Sequence, residues 1–539
     1  MLLGFAALCF TVLWFALLPG RPLFEPDEGR YAEVPREMLS GDDWLIPHLD
    51  GLAYLEKPPL QYWITALCYR VLGESEGAAR LWTGLAGYLS LGIVFALGRR
   101  LWGFDAGMKA LLLSSASVLF VLLGHQLTLD MNLSLWLLAC LACFLVAQSN
   151  RGDPRRCHAW MLGCWAAMAL AVLSKGLIGV LIPGATLVLY AIWQRDREVA
   201  RRLNIRWGLP IFAAIAAPWF VLAARANPEF LKFFFVREHF LRFLTPIEER
   251  TEPWWYFIAV LLVGILPWFP EALRSLAAPL RTTVPRGQFD SRRVLWVWCV
   301  FTLVFFSLSD SKLIPYILPI IPALALLCAS PKAADGRGSL MVGAILSLAA
   351  SAGIFAYASG LWSTAHGRTF GLQMRPVLLW TCIVLAAAAL VCGLLLRRRR
   401  TRAALASLCC GWFLASTTLL IAANSVQQHF SAKEIALALR AAAPGAAPVF
   451  SVQTYQQALP FYLQRNVVVV DYQDELALGL SQNPAAGIAT LEEFSRRWRS
   501  LGDGFAVMPL FTNDRLTAQG LPMREIARFH RKLVLVSRR

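Results

Sequence analysis

Apolar stretches of roughly 17 to 25 residues recur along this chain, each long enough to cross the hydrocarbon core of a bilayer as a helix. They run Leu2 to Leu18, Ala79 to Leu97, Ala106 to Gly124, Met131 to Ala147, Ala159 to Ser174, Leu177 to Trp193, Trp207 to Ala224, Phe257 to Leu273, Val294 to Ser309, Ile314 to Ala329, Leu340 to Leu361, Val377 to Leu396 and Ala403 to Ala423. The expected fold is therefore mainly α, a polytopic membrane protein with about 13 transmembrane helices. Composition agrees, because 57% of the 539 residues are hydrophobic and 16% charged, more apolar than a soluble core requires. The first stretch has neither a charged n-region nor a clear small-residue cleavage site, and reads as a retained span.

The net charge of +17 would suggest nucleic acid in a soluble protein. Here the arginines fall in short runs between apolar segments: Arg99 and Arg100, Arg151 to Arg156, Arg195 to Arg206, Arg292 and Arg293, and Arg397 to Arg402. Alternating spans place all of these on one face, which the positive-inside rule makes the cytoplasm, and nucleic acid is set aside. Pro58 to Leu72 is too short to span and begins with two prolines, so it reads as an interfacial helix. The loop from Phe24 to Trp63 then faces the periplasm or lumen.

That loop concentrates carboxylates: Glu25, Asp27, Glu28, Glu33, Glu37, Asp42, Asp43, Asp50 and Glu56, with Arg30, Arg36 and Lys57 among them. Such a cluster beside a membrane points to a site that handles a charged substrate. Asp130, Lys175, His239, Lys312 and Tyr316 lie at span ends on the same outer side. One ionisable residue at a helix end is usually a snorkelling or capping group, but several on one face favour a shared site. Cys140 and Cys143 have CxxC spacing inside an apolar helix and, without a second pair, read as core cysteines.

After Ala423 the patterning becomes that of a globular domain. Pro448 to Val452, Val467 to Asp471, Phe505 to Met508 and Leu533 to Val536 read as strands, with helices over Ala432 to Arg440 and Leu491 to Arg499. The domain division is 1–423, a transmembrane part including the periplasmic loop 20–78, and 424–539, a small periplasmic α/β domain without cysteine.

PDEGRYAEVPREML, the EKPPLQYW block, Asp130, the SKG of Lys175, the REHF of His239 and SKLIPYILP resemble, in order and spacing, the bacterial aminoarabinose transferases of lipid A. These are GT-C-type, polyprenyl-phosphate-dependent glycosyltransferases, related to the protein O-mannosyltransferases. The stretch VQTYQQALPFYLQR looks like the family's outer C-terminal domain. The resemblance implies transfer of 4-amino-4-deoxy-L-arabinose from undecaprenyl phosphate to a lipid A phosphate at the periplasmic face of a bacterial inner membrane, a change that favours resistance to polymyxin. The implied partners are the lipid-linked donor, lipid A or another outer-leaflet acceptor, and membrane lipids, with the chain acting as a monomer.

It also implies roles, residue by residue. Asp27 is the candidate base or acceptor orienter, Glu28 a ligand of a donor hydroxyl or amine, and Asp130 a further catalytic candidate. Arg30, Lys57 and Lys175 would stabilise the leaving phosphate, with Arg237 next in line, and Tyr31, Tyr54 and Tyr316 would bond phosphate or sugar oxygens. The bland reading of each tyrosine is an interfacial anchor, which for Tyr31 weighs as much as the functional role, and that of Asp27 is the less favoured N-cap of the helix that follows. Glu56 and His239 are acceptable ligands for a divalent metal (zinc, magnesium or manganese), but two ligands do not define a site. Where family members carry a polar residue after the acidic pair, this chain has Gly29, so donor contacts near Arg30 are expected to differ.

Another sugar or acceptor, galactosamine to lipid A or protein O-glycosylation, would use the same framework. A flippase or transporter of lipid-linked sugar is the reading from another class. It would call for ionisable residues at mid-depth and internal repeats, whereas here the ionisable residues gather at one edge.

Overall fold

The computed structural model describes residues 2–241, 251–331, 336–361, 371–442, 447–530 and 532–538; the side chains of residues 2, 3, 239 and 240 are outside the description. Contacts group the chain into two compact units, Met1–Leu17 with Thr83–Ala422, and Leu18–Trp82 with Ala423–Arg539. The loop placed at 20–78 by sequence thus packs with the C-terminal residues.

Apolar length organises the first unit. Among the described residues, eight helices are long and apolar enough to cross a membrane; two further pairs are bent at a break, and three apolar helices are shorter. Each apolar stretch of the sequence corresponds to one of these, but only the eight reach spanning length as single helices. The bends are sharp: 71° between Phe104–Ser115 and Val118–Gly124, and 85° between Tyr256–Gly264 and Leu266–Arg281. Several large polar side chains inside this unit are paired with backbone carbonyls, as an apolar surrounding favours. The Trp14 indole donates to the Gly84 carbonyl at 2.8 Å, and the His125 ring bonds the Val121 and Trp14 carbonyls.

The second unit contains a five-stranded sheet ordered β4-β3-β5-β7-β6, from β3 (Val449–Val452), β4 (Val468–Val470), β5 (Phe505–Pro509), β6 (Arg524–Phe529) and β7 (Leu533–Ser537), after a two-stranded ribbon of β1 (His48–Leu49) and β2 (Leu52–Ala53). β3 runs parallel to β4 and β5, and β7 runs antiparallel to β5 and β6. Phe450, Phe494 and Trp498 centre its core. The four expected strands and two expected helices are present within a residue or two. The edge strand β6 escaped sequence reading because a bulge between Glu525 and Ala527 breaks the alternation of exposed and apolar positions. The Asp-Gly pair joining β1 to β2 has positive φ at both Asp50 (56°) and Gly51 (74°), the geometry of a tight hairpin turn.

Helix Leu60–Leu72 buries Tyr62, Thr65, Ala66 and Tyr69 and leaves Leu67, Val71 and Leu72 exposed. A helix with one packed face and one exposed apolar face suits the plane of a membrane interface, as expected for it.

Helix Asp27–Ser40 and the turn after it bring three acids together, Glu33 and Asp50 buried and Glu37 partly buried, beside Arg36. The Glu33 carboxylate takes both arms of Arg36 (2.6 and 2.7 Å). Glu37 accepts from the Gly51 N–H and Asp50 from the Val467 N–H, each at 2.8 Å; the second Asp50 oxygen is buried with no hydrogen bond among the described residues, and the Glu37 carboxyl group lies against that of Glu33. The Tyr455 hydroxyl, facing the same three acids, is also without a partner. Three carboxyl groups and one guanidinium cannot all be charged in a dry interior at low cost. Burial, reinforced by the charge of Glu33, pushes Glu37 up to about 9; burial, partly offset by the Val467 N–H, pushes Asp50 up to about 8. Unfolded, both titrate near about 4. The folded state therefore holds protons that the unfolded state has released; the contribution is complete below about pH 4, and is lost as pH rises through about 8 to 9. Replacing both acids by amides, Glu37→Gln with Asp50→Asn, is expected to raise the melting temperature above the parent's near about pH 9 and to leave it nearly equal near about pH 5, measured by thermal denaturation in detergent.

Candidate functional site

In the second unit the first turn of helix Asp27–Ser40 distributes its side chains three ways, because successive helical residues point about 100° apart. Glu28 points inward and is fully buried. Its carboxylate receives two bonds from Arg21 (2.6 and 3.0 Å), two from Arg80 (2.8 and 2.9 Å) and one from the Phe24 N–H (3.0 Å). Burial works against its charge, but Arg21 and Arg80 outweigh burial and hold the carboxyl well below the usual range. With its oxygens so enclosed, Glu28 is a structural hub, and the donor-ligand role drawn from the resemblance gives way to that geometry. Arg80 was not singled out by sequence; it also bonds the carbonyls of Leu18, Arg21 and Pro22, which employs its whole fork.

Gly29 points a second way. A Cβ there would lie 2.4 Å from the Ala458 nitrogen and 2.8 Å from the Gln457 carbonyl carbon, so the helix lies against that backbone where no side chain fits. The glycine is thus set by close packing. Gly29→Ala should cost about 1–3 kcal/mol through overpacking, seen as a lower melting temperature, whereas Gly4→Ala, where nothing lies within 4 Å, should not.

Asp27 and Arg30 point the third way. Asp27 stays 41% exposed, 3.8 Å from Arg30. It occupies the first turn rather than the cap, since Pro26 precedes the helix and no side-chain cap bond forms, which removes the capping explanation. Arg30 is buried, donates to Glu475 at 2.8 Å and lies 5.9 Å from the Tyr31 ring. Burial disfavours its charge, but Tyr54, Glu475, Tyr31 and Glu56 around it prevail and raise its pKa well above the ordinary value. Tyr54 donates to Glu56 (3.0 Å), whose carboxylate lies 3.9 Å from Lys57; Tyr31 and Tyr62 rings are 6.2 Å apart.

Two donors in this cluster are buried and unused: Arg30 Nε and the Tyr62 hydroxyl. Unmade bonds of this kind are costly, and a ligand oxygen would repay them. Sequence reading named Asp27, Arg30, Tyr31, Tyr54, Glu56 and Lys57, and the structure brings these together. It missed Tyr62, Gln457 and Glu475. Gln457 donates to Glu475 at 2.7 Å and so orients the carboxylate that Arg30 meets.

In the first unit Lys175, at the end of helix Pro154–Lys175, is ion-paired with Asp130, in the first turn of Leu129–Ser149, and sits 4.8 Å from the Tyr316 ring. These three candidates also meet. Lys312 is buried and donates to the Ser309 carbonyl at 2.6 Å, so it caps its own loop. Arg237 is exposed and lies over Phe233 in the π-helical turn Lys232–Leu241. The His239 side chain lies outside the described residues. Among those described, no three His, Cys, Asp or Glu residues converge as metal ligands, and Glu56 is already engaged by Tyr54 and Lys57. Glu56 by itself does not make a metal site.

Residues 435–538 match the profile of the aminoarabinose transferase C-terminal domain, and residues 56–222 that of dolichyl-phosphate-mannose-protein mannosyltransferase. Over the whole length the chain superposes on the crystal structure of ArnT from Cupriavidus metallidurans bound to undecaprenyl phosphate, with a TM-score of 0.90 and 32% identity, covering 100% of this chain and 98% of the other. The chain belongs to the ArnT family. Its membrane part has the multi-pass helical architecture of that family, with the small C-terminal sheet expected from the sequence. Among curated relatives, the undecaprenyl phosphate-alpha-4-amino-4-deoxy-L-arabinose arabinosyl transferases of Sodalis glossinidius and Aeromonas hydrophila are 33% and 35% identical over 61% and 60% of this chain. Those alignments span 58% and 59% of the relatives' length.

Proposed function

We propose that this protein is a glycosyltransferase that moves 4-amino-4-deoxy-L-arabinose from undecaprenyl phosphate to a phosphate of lipid A, at the periplasmic face of the bacterial inner membrane. The observation that carries this reading is the full-length likeness to an ArnT bound to undecaprenyl phosphate. The chemistry of the second unit supports it. Arg30 and Tyr62 offer unused donors beside the Lys57 ammonium, a set suited to the oxygens of a phosphoryl group.

In the reaction an acceptor phosphate oxygen attacks the anomeric carbon of the sugar. The bond from that carbon to the undecaprenyl phosphate oxygen breaks, and its electron pair stays on the departing phosphate. A phosphate nucleophile is already anionic, so Asp27 need not act as a strong base. Exposed at the helix start, it orients the acceptor or balances charge on the sugar. Arg30, Lys57 and Tyr62 take up the charge that grows on the leaving phosphate. Glu475 and Gln457 keep the Arg30 fork in place. In the other unit, Lys175 is proposed as a phosphate-binding cation in its own right, held by Asp130. The chain is taken to act as a monomer.

The test combines purified protein, the undecaprenyl-phosphate-linked sugar and lipid A, with mass spectrometry of both products. Lipid A should gain one aminoarabinose for each undecaprenyl phosphate released, and unchanged lipid A would overturn the reading. Asp27→Asn should slow transfer by about 100-fold or more with an unchanged melting temperature. Lys57→Ala and Lys175→Ala, measured separately, should each weaken donor binding. Orientation has its own readout: a phosphatase fused after Arg539 should be active and one fused at Arg400 inactive, because the arginine runs mark the cytoplasmic face.

A further inference from the structure

The two bent helix pairs of the first unit meet at their breaks. The Trp268 indole donates to Ser117 Oγ at 3.2 Å, and a Cβ on Gly264 would fall 2.9 Å from Leu119. Broken helices packed against one another are a usual way for membrane proteins to line a ligand site. Beside this junction lies a cavity of about 420 Å³. It adjoins the arginine-rich ends of the helices, since its lining includes Phe104, soon after Arg99 and Arg100, and Arg402, just after Arg397 to Arg400.

Its chemistry has three parts. The walls are hydrocarbon and aromatic, from residues such as Met108, Leu112, Trp268 and Leu405. Inside, Glu271 is 95% buried by its 5% exposure, and one of its oxygens takes the Lys109 ammonium at 2.5 Å. The other oxygen has no hydrogen-bond partner among the described residues; it lies 3.6 Å from where a Cβ of Gly336, also in the lining, would stand. At the rim, Arg402 is 85% exposed and ion-paired with Asp105; Arg274, which is not itself in the lining, reaches the hydroxyl of the lining residue Ser339 at 3.0 Å.

A buried carboxylate oxygen without a donor is costly, and Lys109 satisfies only its neighbour. Mostly apolar walls exclude a small polar ion as sole occupant, and rim arginines favour a phosphate. Two classes of molecule carry a hydrocarbon chain, a phosphodiester and N–H donors a few bonds beyond it: an aminophospholipid and the lipid-linked amino sugar of the proposed reaction, and the second is used at the periplasmic face, whereas this cavity adjoins the arginine-rich ends that mark the cytoplasmic one. We propose that this cavity is a binding site for an aminophospholipid, its primary ammonium donating to Glu271, its phosphodiester at Arg274 and Arg402, and the start of one acyl chain between Met108 and Leu405. A choline headgroup has no N–H to give; a glycerol headgroup has O–H donors but no positive charge, so its bond to the carboxylate lacks the added strength of an ammonium donor.

Native mass spectrometry of the full-length protein, titrated with phosphatidylethanolamine, phosphatidylcholine or phosphatidylglycerol of the same acyl chains, tests this. The expected result is a preference of about tenfold for phosphatidylethanolamine over phosphatidylcholine, the scale of one hydrogen bond to a charged group. Glu271→Gln should reduce that preference to near unity while leaving phosphatidylcholine binding in place. Met108→Trp, which fills the cavity and leaves the carboxylate untouched, should abolish the selective binding and serves where Glu271→Gln folds poorly. Equal binding of the three lipids, tighter binding of phosphatidylglycerol, or an undiminished preference in Met108→Trp would each overturn the proposal. Inorganic phosphate and ethanolamine, added free, should compete at no more than a small fraction of sites, because neither engages the apolar walls.

Discussion

Glu28 and the two arginines that enclose it are what the second unit is built around. One carboxylate, wholly out of water, is reached by Arg21 from the chain before the helix and by Arg80 from the start of Glu76–Trp102. Removing it would strand two guanidiniums in a dry interior, a loss of about 3–5 kcal/mol for a broken buried pair. Asp27 and Arg30 sit one residue before and two after it, on the same turn. Their direction is therefore inherited from the hub, and the precision of the exposed acid rests on the immobility of its hidden neighbour.

The same short helix shows how little of its surface is idle. Glu28 serves the hub, Gly29 the backbone at 457–458, Asp27 and Arg30 the polar cluster, Glu33 the ion pair with Arg36, and Glu37 the Gly51 N–H at the Asp50 turn. In a helix packed on so many sides, the acidic residues look alike in sequence but differ in environment. Water is what separates them: Asp27 keeps it, while Glu28 exchanges it for cations and Glu37 for a proton.

Much was legible in the sequence because it depends on neighbours along the chain. Apolar length reveals spans, short continuous apolar runs reveal the strands of the inner sheet, and motif order revealed Asp27, Arg30, Tyr54 and Lys57 together. What escaped depends on partners far away. Arg80 lies at the head of an apolar segment and looks like a membrane-edge cation, yet it bonds Glu28, 52 residues earlier. Glu475 sits in an unremarkable turn until Arg30 reaches it. Gly29 looked like a change in substrate contacts, whereas its cause is the approach of a backbone more than four hundred residues onward. The bends at Ile265 and at Ala116 to Ser117 escaped for another reason: an apolar run reports its length but not whether a helix continues through it.

The bond between Arg30 and Glu475 closes 445 residues of chain. The first extramembrane segment emerges early in synthesis, but the surface it packs on is made last, after every membrane segment has been translated. Loop closure over such a distance adds little to the equilibrium cost, which grows only with the logarithm of length, but it sets an order of events. Until residues 423–539 have been made, residues 18–82 have no sheet domain to pack against, and their charged side chains must wait in water or with a chaperone. A protein truncated anywhere before β7 would thus lose more than its tail, since the earliest segment made would be left without its final fold.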